Sequence, residues 1–190
     1  CSLGCVFDPT LYTLTGGRIG MDYCKDTINS WVIAMQDHFD TNLEDAAERW
    51  ELLENGKPSA QCGSATGNGS MVLGGDKVYR RIISHPLDVK FGARIEFDLK
   101  YGSDKACADC CRDLYAPGTV TLFVSNRGGP FEPVRTYGIH DYKGKWVKVS
   151  EELPPERVSN SSRFKWAQSR FAKHRDYWAI DNVTILSQSV

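Results

Sequence analysis

Short runs in which hydrophobic and polar residues alternate dominate the chain from about residue 70 onward. In residues 93–102, Ile95, Phe97, Leu99 and Tyr101 alternate with charged side chains. A period of two is typical of a β-strand with one buried face. Further runs that read as strands lie at 118–125, 145–150, 163–166 and 177–186. The last of these is apolar on both faces, which indicates a central strand between two layers.

Helical periodicity is scarce by comparison. The segment LEDAAERWELL (43–53) is the one good helix candidate, because its apolar residues could form a single face. Turn sequences such as NRGGP (126–130) separate the strand candidates. Many short strands, Gly/Pro turns and little helix predict an all-β fold, an antiparallel two-sheet jelly-roll sandwich.

The cysteine content indicates where such a fold would operate. Among the 190 residues there are seven cysteines, Cys1, Cys5, Cys24, Cys62, Cys107, Cys110 and Cys111. All seven are candidates for structural disulfides. Three N-x-S/T sequons, at Asn68, Asn160 and Asn182, are candidate glycosylation sites. Together these features predict an oxidising, extracellular compartment. The odd count leaves one thiol that could be free, paired outside this segment, or joined to a partner chain in a disulfide-linked dimer.

Charge and hydropathy exclude some partners. The formal net charge of −1 produces no global field that would attract nucleic acid or a membrane surface. No apolar run approaches the roughly 20 residues that span a bilayer, so we expect no direct membrane insertion. Basic and aromatic residues interleave in 163–175. We interpret them as a strand with its aromatic side chains inward and its Arg/Lys side chains outward, followed by an exposed loop.

Motifs for catalysis are absent from the sequence. None of the four histidines lies in HExxH or near a Gly-x-Ser-x-Gly elbow, and no glycine loop would cradle phosphates. The cluster Cys107-Ala-Asp-Cys110-Cys111 contains a CxxC, but no second CxxC completes a zinc site. We interpret the cluster as a structural disulfide that pins the loop after Tyr101. Cys110 and Cys111 would pair with different partners, and the sequence does not decide which of them pairs with Cys107. The sequence therefore predicts that the protein is not an enzyme.

Asp181 is the unusual residue of the last strand. By simple alternation it would share a face with Ala179, Val183 and Ile185. An unpaired buried carboxylate costs several kcal/mol, so Asp181 must be paired or bound to a metal. Calcium accepts carboxylate and carbonyl oxygens. An arginine partner is the alternative, and spacing alone does not choose between them.

Several motifs occur in an order that resembles a reelin-type subrepeat. They are FDT (39–41), Trp50, QCGSATGNGSMVL (61–73), RRIISHPLDVKFGARIEFDLKYG (80–102), VTLFVSNRGGPF (120–131), RFKWAQ (163–168) and YWAIDNVTI (177–185). The resemblance covers about residues 36–187. MAM domains are the second family that the sequence resembles, because they share the opening Phe-Asp/Glu, a late Asp-containing strand and the jelly-roll layout.

The resemblance to reelin subrepeats implies two antiparallel sheets and a structural calcium ion that joins the first strand to the last. It implies metal ligands at Asp40 and Asp181. Asp37 is a weaker candidate, and Asp98 is the weakest of the four. It places a reelin-like domain at 36–190 and leaves 1–35 as an N-terminal cysteine-containing segment, which could dock on the core.

The sequence departs from the family pattern in two places. The turn at 125–131 lacks the usual aspartate and tryptophan of an Asp box, which argues further against sialidase-like activity. A cysteine expected before the final strand is absent, because Asp176 and Tyr177 stand there. The cluster at 107–111 must therefore pair differently from the family.

The leading hypothesis is a non-catalytic extracellular recognition or adhesion module of a larger secreted or membrane-anchored protein. Its partner would be an extracellular protein or receptor, and its fold would be stabilised by disulfides and calcium. The alternative is a carbohydrate-binding jelly-roll module, since the same fold class supports both functions. Such a module would need exposed aromatic residues, for which Phe131, Phe171 and Tyr177 are the candidates.

Overall fold

The computed structural model describes residues 30–40, 46–75, 79–102, 111, 118–169 and 176–189. These residues contain eleven strands: β1 (Trp31–Asp37), β2 (Trp50–Glu54), β3 (Gly56–Ser59), β4 (Ser70–Leu73), β5 (Arg81–Ser84), β6 (Ala93–Tyr101), β7 (Thr119–Ser125), β8 (Phe131–Gly138), β9 (Val147–Leu153), β10 (Arg163–Ser169) and β11 (Trp178–Gln188). One short helix, α1 (Ile139–Tyr142), and a 3₁₀ turn (Pro155–Arg157) complete the elements.

The strands form two antiparallel sheets. The first sheet has the order β3-β4-β11-β6-β9, with β1 also paired to β11. The second has the order β2-β5-β10-β7-β8. Every strand pair is antiparallel. The expected all-β sandwich of two antiparallel sheets with little helix is confirmed, and β11 is central in the first sheet as its apolar sequence predicts.

The core lies between the two sheets and is rich in aromatic rings. Trp166 of β10 is fully buried and contacts Phe97 of β6 edge to face, with ring centroids 5.6 Å apart. Trp50 packs between Trp166 and Phe39, at centroid distances of 5.9 and 5.6 Å. Edge-to-face pairs of this kind add stability beyond the area they bury. The alternation in β10 is as expected, because Phe164 and Trp166 face the core while the basic residues face outward.

A tyrosine hydroxyl connects the sheets at one end of the core. Tyr101 of β6 donates a hydrogen bond to the carbonyl of Tyr137 at 2.9 Å and accepts one from the Val120 amide at 2.5 Å. Both partners belong to the second sheet. Burial of the hydroxyl raises the pKa of Tyr101 far above its usual value, so it remains a neutral donor at every physiological pH.

The helix expected at 43–53 is wrong for its second half. Among the described residues of this segment, Ala46 and Ala47 are helical, and Trp50 begins strand β2. Trp50 pairs with Ser84 of β5, and its ring is buried in the aromatic core. Burial of this large ring in the sandwich outweighs the modest helix propensity of the segment.

The expected N-terminal segment falls mostly outside the described residues, and its residues 31–35 belong to β1. In the described part of the chain, no helix is long and apolar enough to cross a membrane.

Candidate functional site

The central strand β11 contains a β-bulge next to Asp181. Asp181 pairs with Asp98 of β6, but the next paired residue, Thr184, lies opposite Glu96. Three residue steps on β11 therefore match two on β6. Asn182 accommodates the extra residue with a positive φ of 49°, a conformation that Asn tolerates better than most side chains.

This bulge changes which side chains of β11 face the core. Before it, Trp178 and Ile180 are core residues, and after it Val183 and Ile185 are. Strict alternation put Asp181 on the same face as Val183 and Ile185, and that expectation is wrong. Asp181 instead lies on the outer face of the first sheet, where the loop between β3 and β4 (residues 60–69, the β3–β4 loop) covers it completely.

Asp181 is held by hydrogen-bond donors of this loop. One carboxylate oxygen accepts bonds from the Ser64 hydroxyl and the Ala65 amide, both at 2.8 Å. The other oxygen accepts the Asn182 amide at 2.8 Å. Burial raises the pKa of Asp181, and these bonds partly oppose the rise because they favour the charged form. The arginine partner considered as the alternative is absent from the described ion pairs, none of which includes Asp181.

Asp40 meets the same loop from the end of β1. Its carboxylate accepts the Asn68 amide at 2.9 Å. Gly67 makes this approach feasible, because a Cβ at that position would lie 2.7 Å from a carboxylate oxygen of Asp40. The β3–β4 loop therefore joins the beginning of the domain, at Asp40, to its last strand, at Asp181.

A disulfide anchors this loop. Cys62 and Cys111 form it, and the Cys111 amide also donates to the Gln61 carbonyl at 3.2 Å. The expectation that the 107–111 cluster pins the loop after Tyr101 thus corresponds to a link between that loop and the β3–β4 loop. Cys1, Cys5, Cys24, Cys107 and Cys110 lie outside the described residues.

Asn182 connects a second set of polar groups to the loop. Its side-chain nitrogen Nδ2 donates a hydrogen bond to the Asp98 carboxylate at 2.8 Å. Its side-chain oxygen Oδ1 accepts one from the Thr66 hydroxyl at 2.7 Å. A ring nitrogen of His38 lies 2.8 Å from the same oxygen. Asp98 is therefore a neighbour of Asp181, directly opposite it in the sheet.

Asp37, the weaker metal candidate, contacts Trp50, Phe39 and Arg49, and none of its described hydrogen bonds goes to the β3–β4 loop. It is buried, accepts the Trp50 indole N–H at 2.7 Å and the Phe39 amide at 2.9 Å, and forms an ion pair with Arg49 at 3.0 Å. These bonds fix the start of the domain against the core, and they distinguish Asp37 from Asp40 and Asp181.

The carboxylates near Asp181 are the described residues that could contribute to a cation site. Asp181 and Asp98 lie opposite each other in the sheet, an arrangement that is unfavourable for two negative charges without a counter-ion. No described ion pair includes Asp40, Asp98 or Asp181. Within the described residues, no three His, Cys, Asp or Glu side chains form a group that could hold a metal. A calcium ion would thus need loop carbonyl and hydroxyl oxygens to supplement the carboxylates, a mixture that calcium accepts.

The three sequons differ in their surroundings. Asn68 and Asn160 are exposed, at the tip of the β3–β4 loop and before β10 respectively. Asn182 is half-buried in the bulge, with its side chain hydrogen-bonded as described above. The sequence pattern alone carries no information about this difference.

The outer face of the second sheet carries a group that the sequence analysis did not combine. Lys165 of β10 lies opposite Phe123 of β7 in the ladder, and its ammonium is 4.1 Å from that ring centroid. The same ammonium lies 4.3 Å from the ring of Phe131. We call Phe123, Phe131 and Lys165 the lysine–aromatic patch. The alternation of side chains along β7 and β10 places Phe123 and Lys165 on the outer face. Their contact depends on the register between the two strands, which the alternation does not give.

Of the aromatic residues considered for glycan binding, Phe131 belongs to this patch. Tyr177 is half-buried against the cluster of Cys62, Cys111 and Ala179. Phe171 lies outside the described residues.

The comparison with protein families matches residues 55–186 to the Reelin subrepeat B family. This chain belongs to the Reelin subrepeat family. The match spans the strands from β3 to β11 and includes the loop and the bulge that hold Asp181. The resemblance stated from the motifs is therefore confirmed, and the Reelin-type domain with its disulfide indicates an extracellular module.

Solved structures show where else this Reelin-type fold occurs. The K3 cleaved adhesin domain of Lys-gingipain from Porphyromonas gingivalis W83 has a TM-score of 0.57 at 11% identity, covering 83% of this chain and 99% of that one. The N-terminal tandem of two family 22 carbohydrate-binding modules from Paenibacillus barcinonensis Xyn10C has a TM-score of 0.55 at 13% identity, covering 86% and 49%. A family 27 carbohydrate-binding module described for mannan recognition has a TM-score of 0.51 at 14% identity, covering 84% and 99%. At these identities the likeness shows the fold alone, a jelly-roll-like sandwich.

Proposed function

We propose that this Reelin-type module is a non-catalytic extracellular recognition domain of a larger secreted or membrane-anchored protein. Its partner is an extracellular protein or receptor. The observation that carries the proposal is that the buried carboxylates of the described residues serve the fold. Asp181 and Asp37 are both buried and accept hydrogen bonds from the chain's own donors. A general acid or base needs an open side that faces a substrate.

The cavities of the described residues agree with a binding role without catalysis. One cavity, of about 320 Å³, lies beside β1 and the end of β11. Its only ionisable lining residues are Asp88 and Lys90, an exposed ion pair at 3.3 Å. Such a pair has ordinary solvent-exposed chemistry and provides no activated nucleophile or base.

Calcium is part of the proposal, as a structural ion at the β3–β4 loop. Asp181 and Asp40 would hold it together with loop oxygens. The ion would supply positive charge where carboxylates gather without a described cationic partner, and so would tie the last strand to the start of the domain.

The recognition function is tested by binding to cells. The purified chain, labelled on its N-terminal amine, is applied to cultured cells with and without prior trypsin treatment of the cell surface. We expect saturable binding that trypsin removes. Absence of saturable binding across several cell types, or turnover of peptide, ester or glycoside substrates by the chain, would contradict the proposal.

A disulfide-linked dimer through the odd cysteine also remains a proposal. Electrophoresis of the purified chain without reductant would show twice the mass if the dimer exists, and reductant would restore the monomer.

A second candidate function is carbohydrate binding, and the lysine–aromatic patch favours it. Phe123 and Phe131 are half-buried, so this face offers a sugar mainly charged and polar contacts. In the same cell assay, a glycan partner would make binding sensitive to glycosidases that leave the cell-surface proteins intact.

A further inference from the structure

The lysine–aromatic patch contains a cation without a described carboxylate partner. Two arginines flank it, and each is neutralised: Arg163 pairs with Glu51 at 3.1 Å and Arg81 with Glu54 at 2.6 Å. Lys165 appears in none of the described ion pairs. Among the described cations of the patch and its flanks, Lys165 is thus the one without a described ion pair.

The surroundings of Lys165 prepare its ammonium to meet an anion. The rings of Phe123 and Phe131 hold it by cation–π contacts, which fix its position without neutralising its charge. Burial, with a smaller contribution from the charge of Arg81, lowers the pKa of Lys165. A partly desolvated cation interacts more strongly with an incoming anion than a fully hydrated one.

Hydroxyl groups occupy the neighbouring part of the same face. Thr119 of β7 and Ser169 of β10 lie opposite each other with their hydroxyl oxygens 2.8 Å apart. Thr121 and Thr136 form a similar pair at 2.9 Å. Each hydroxyl has one donor and two acceptor positions, so both pairs retain capacity for further hydrogen bonds.

From this combination we propose that the outer face of the second sheet binds an acidic carbohydrate, with the carboxylate of a uronic acid residue at Lys165. The hydroxyl pairs then accept and donate hydrogen bonds to the sugar hydroxyls. The inference rests on the carbohydrate-binding candidate above and gives it a site and a ligand class.

Other occupants match the face less well. The large hydrophobic residues of the described chain that are exposed are Val32, Ile33, Tyr79 and Phe91, and none belongs to the lysine–aromatic patch. The patch thus lacks the apolar anchors that dominate protein–protein interfaces. A strongly sulfated chain or a nucleic acid would need several unpaired cations in a row, whereas Arg81 and Arg163, the described arginines beside the patch, are both paired.

The test uses oligosaccharides that differ only in charge. Binding of the full chain to hyaluronan hexasaccharide and to trigalacturonate is measured by calorimetry, and each is compared with its carboxyl methyl ester. We expect saturable binding of the acids and binding weaker by about tenfold or more for the esters, as loss of a desolvated charge contact requires.

Two lysine variants complete the experiment. Lys165→Met keeps most of the side-chain length and removes the charge, and we expect it to weaken acid binding to the level of the esters. Lys90→Met is the matched control, because Lys90 also lies over a ring, that of Phe91 at 5.2 Å, but has Asp88 as a carboxylate partner. The control should bind like the wild type. Thermal melts of both variants establish that they fold.

Three results would overturn the inference. They are no binding of either acid, equal binding of acids and esters, or binding unaffected by Lys165→Met. Binding of a glutamate-rich peptide in place of the acids, lost in Lys165→Met, would likewise overturn it in favour of an acidic protein segment. Trypsin-sensitive binding to cells that Lys165→Met leaves intact would leave the recognition function standing and remove only this site.

Discussion

Asp181 shows how one residue can be recognised in a sequence while its environment is not. Its position in a hydrophobic strand indicates that the carboxylate needs a partner. The partners are amides and a hydroxyl of residues 64–66, more than a hundred positions earlier in the chain. The bulge at Asn182 turns the side chain away from the core. Neither the register shift nor the long-range loop contact has a periodicity that sequence reading could detect.

The charge state of Asp181 gives the first prediction. Burial raises its pKa in the folded protein, so the folded state binds a proton more readily than the unfolded state. Without calcium, the contribution of Asp181 to stability is complete below the usual aspartate pKa and is lost as the pH rises through the raised value. Urea unfolding in EDTA from pH 3.5 to 7 should show this loss in the wild type.

The side chain at position 181 of the Asp181→Asn variant cannot titrate, so this variant is the control for the dependence of stability on pH. Its stability should fall less than that of the wild type over the same pH interval. Parallel pH profiles for the two proteins would contradict the assignment of the raised pKa to Asp181.

Gly67 gives the second prediction. Gly67→Ala places a Cβ against the Asp40 carboxylate and strains a backbone with φ of 94°. Gly75 has a similar φ of 90° with no atom within 4 Å of a Cβ, so Gly75→Ala measures the backbone strain alone. In calcium we expect Gly67→Ala to destabilise the fold by about 1 kcal/mol more than Gly75→Ala does. This is the usual value of a lost hydrogen bond, here the one from the Asn68 amide to Asp40.

Urea unfolding of both glycine variants, in calcium and in EDTA, checks this. The difference between them should shrink in EDTA, because the displaced Asp40 then has no ion to bind. Equal stabilities in calcium would show that Asp40 is not held by the β3–β4 loop.

At the scale of elements, alternating strands were predictable and context-dependent segments were not. Residues 93–102 alternate regularly and form β6, because one face of that strand is buried along its whole length. Residues 50–54 have an acceptable helical pattern and form β2, because the ring of Trp50 completes the aromatic core. The lysine–aromatic patch belongs to this second class, since it depends on which strands pair and in which register.

Tyr101 links the two sheets and gives a prediction at this scale. Tyr101→Phe removes a buried donor and acceptor and leaves the Tyr137 carbonyl and the Val120 amide without this partner. We expect a loss of about 1–3 kcal/mol, the usual cost of buried polar groups left unsatisfied. Chemical denaturation of the variant measures it.

Tyr142→Phe is the matched control for Tyr101→Phe. Tyr142 contacts the rings of both Tyr101 and Tyr137, but none of the described hydrogen bonds uses its hydroxyl. Its replacement should change stability by less than about 0.5 kcal/mol. Similar losses in both variants would contradict a specific contribution of the Tyr101 hydroxyl link.

For the whole molecule, the order of the motifs was enough to indicate the family and the sandwich, and the Reelin subrepeat B match over 55–186 agrees. The function is less determined, because adhesin domains and carbohydrate-binding modules share the fold. What distinguishes such modules is the chemistry of their surfaces and loops. Here those are the β3–β4 loop with its carboxylates and the outer face of the second sheet.

The central claim is that calcium at Asp181 holds the last strand to the start of the domain. It is tested most directly by thermal melts of the wild type, Asp181→Asn and Asp88→Asn, each in calcium and in excess EDTA. Asp88 is exposed and remote from the β3–β4 loop in sequence, so its variant controls for loss of one negative charge. A ligand at about 100 times its dissociation constant stabilises a fold by roughly 2.7 kcal/mol. We therefore predict a clear drop in midpoint in EDTA for the wild type and Asp88→Asn, and none for Asp181→Asn. An unchanged midpoint for the wild type, or an equal drop in all three proteins, would contradict the claim and leave Asp181 held by the loop donors alone.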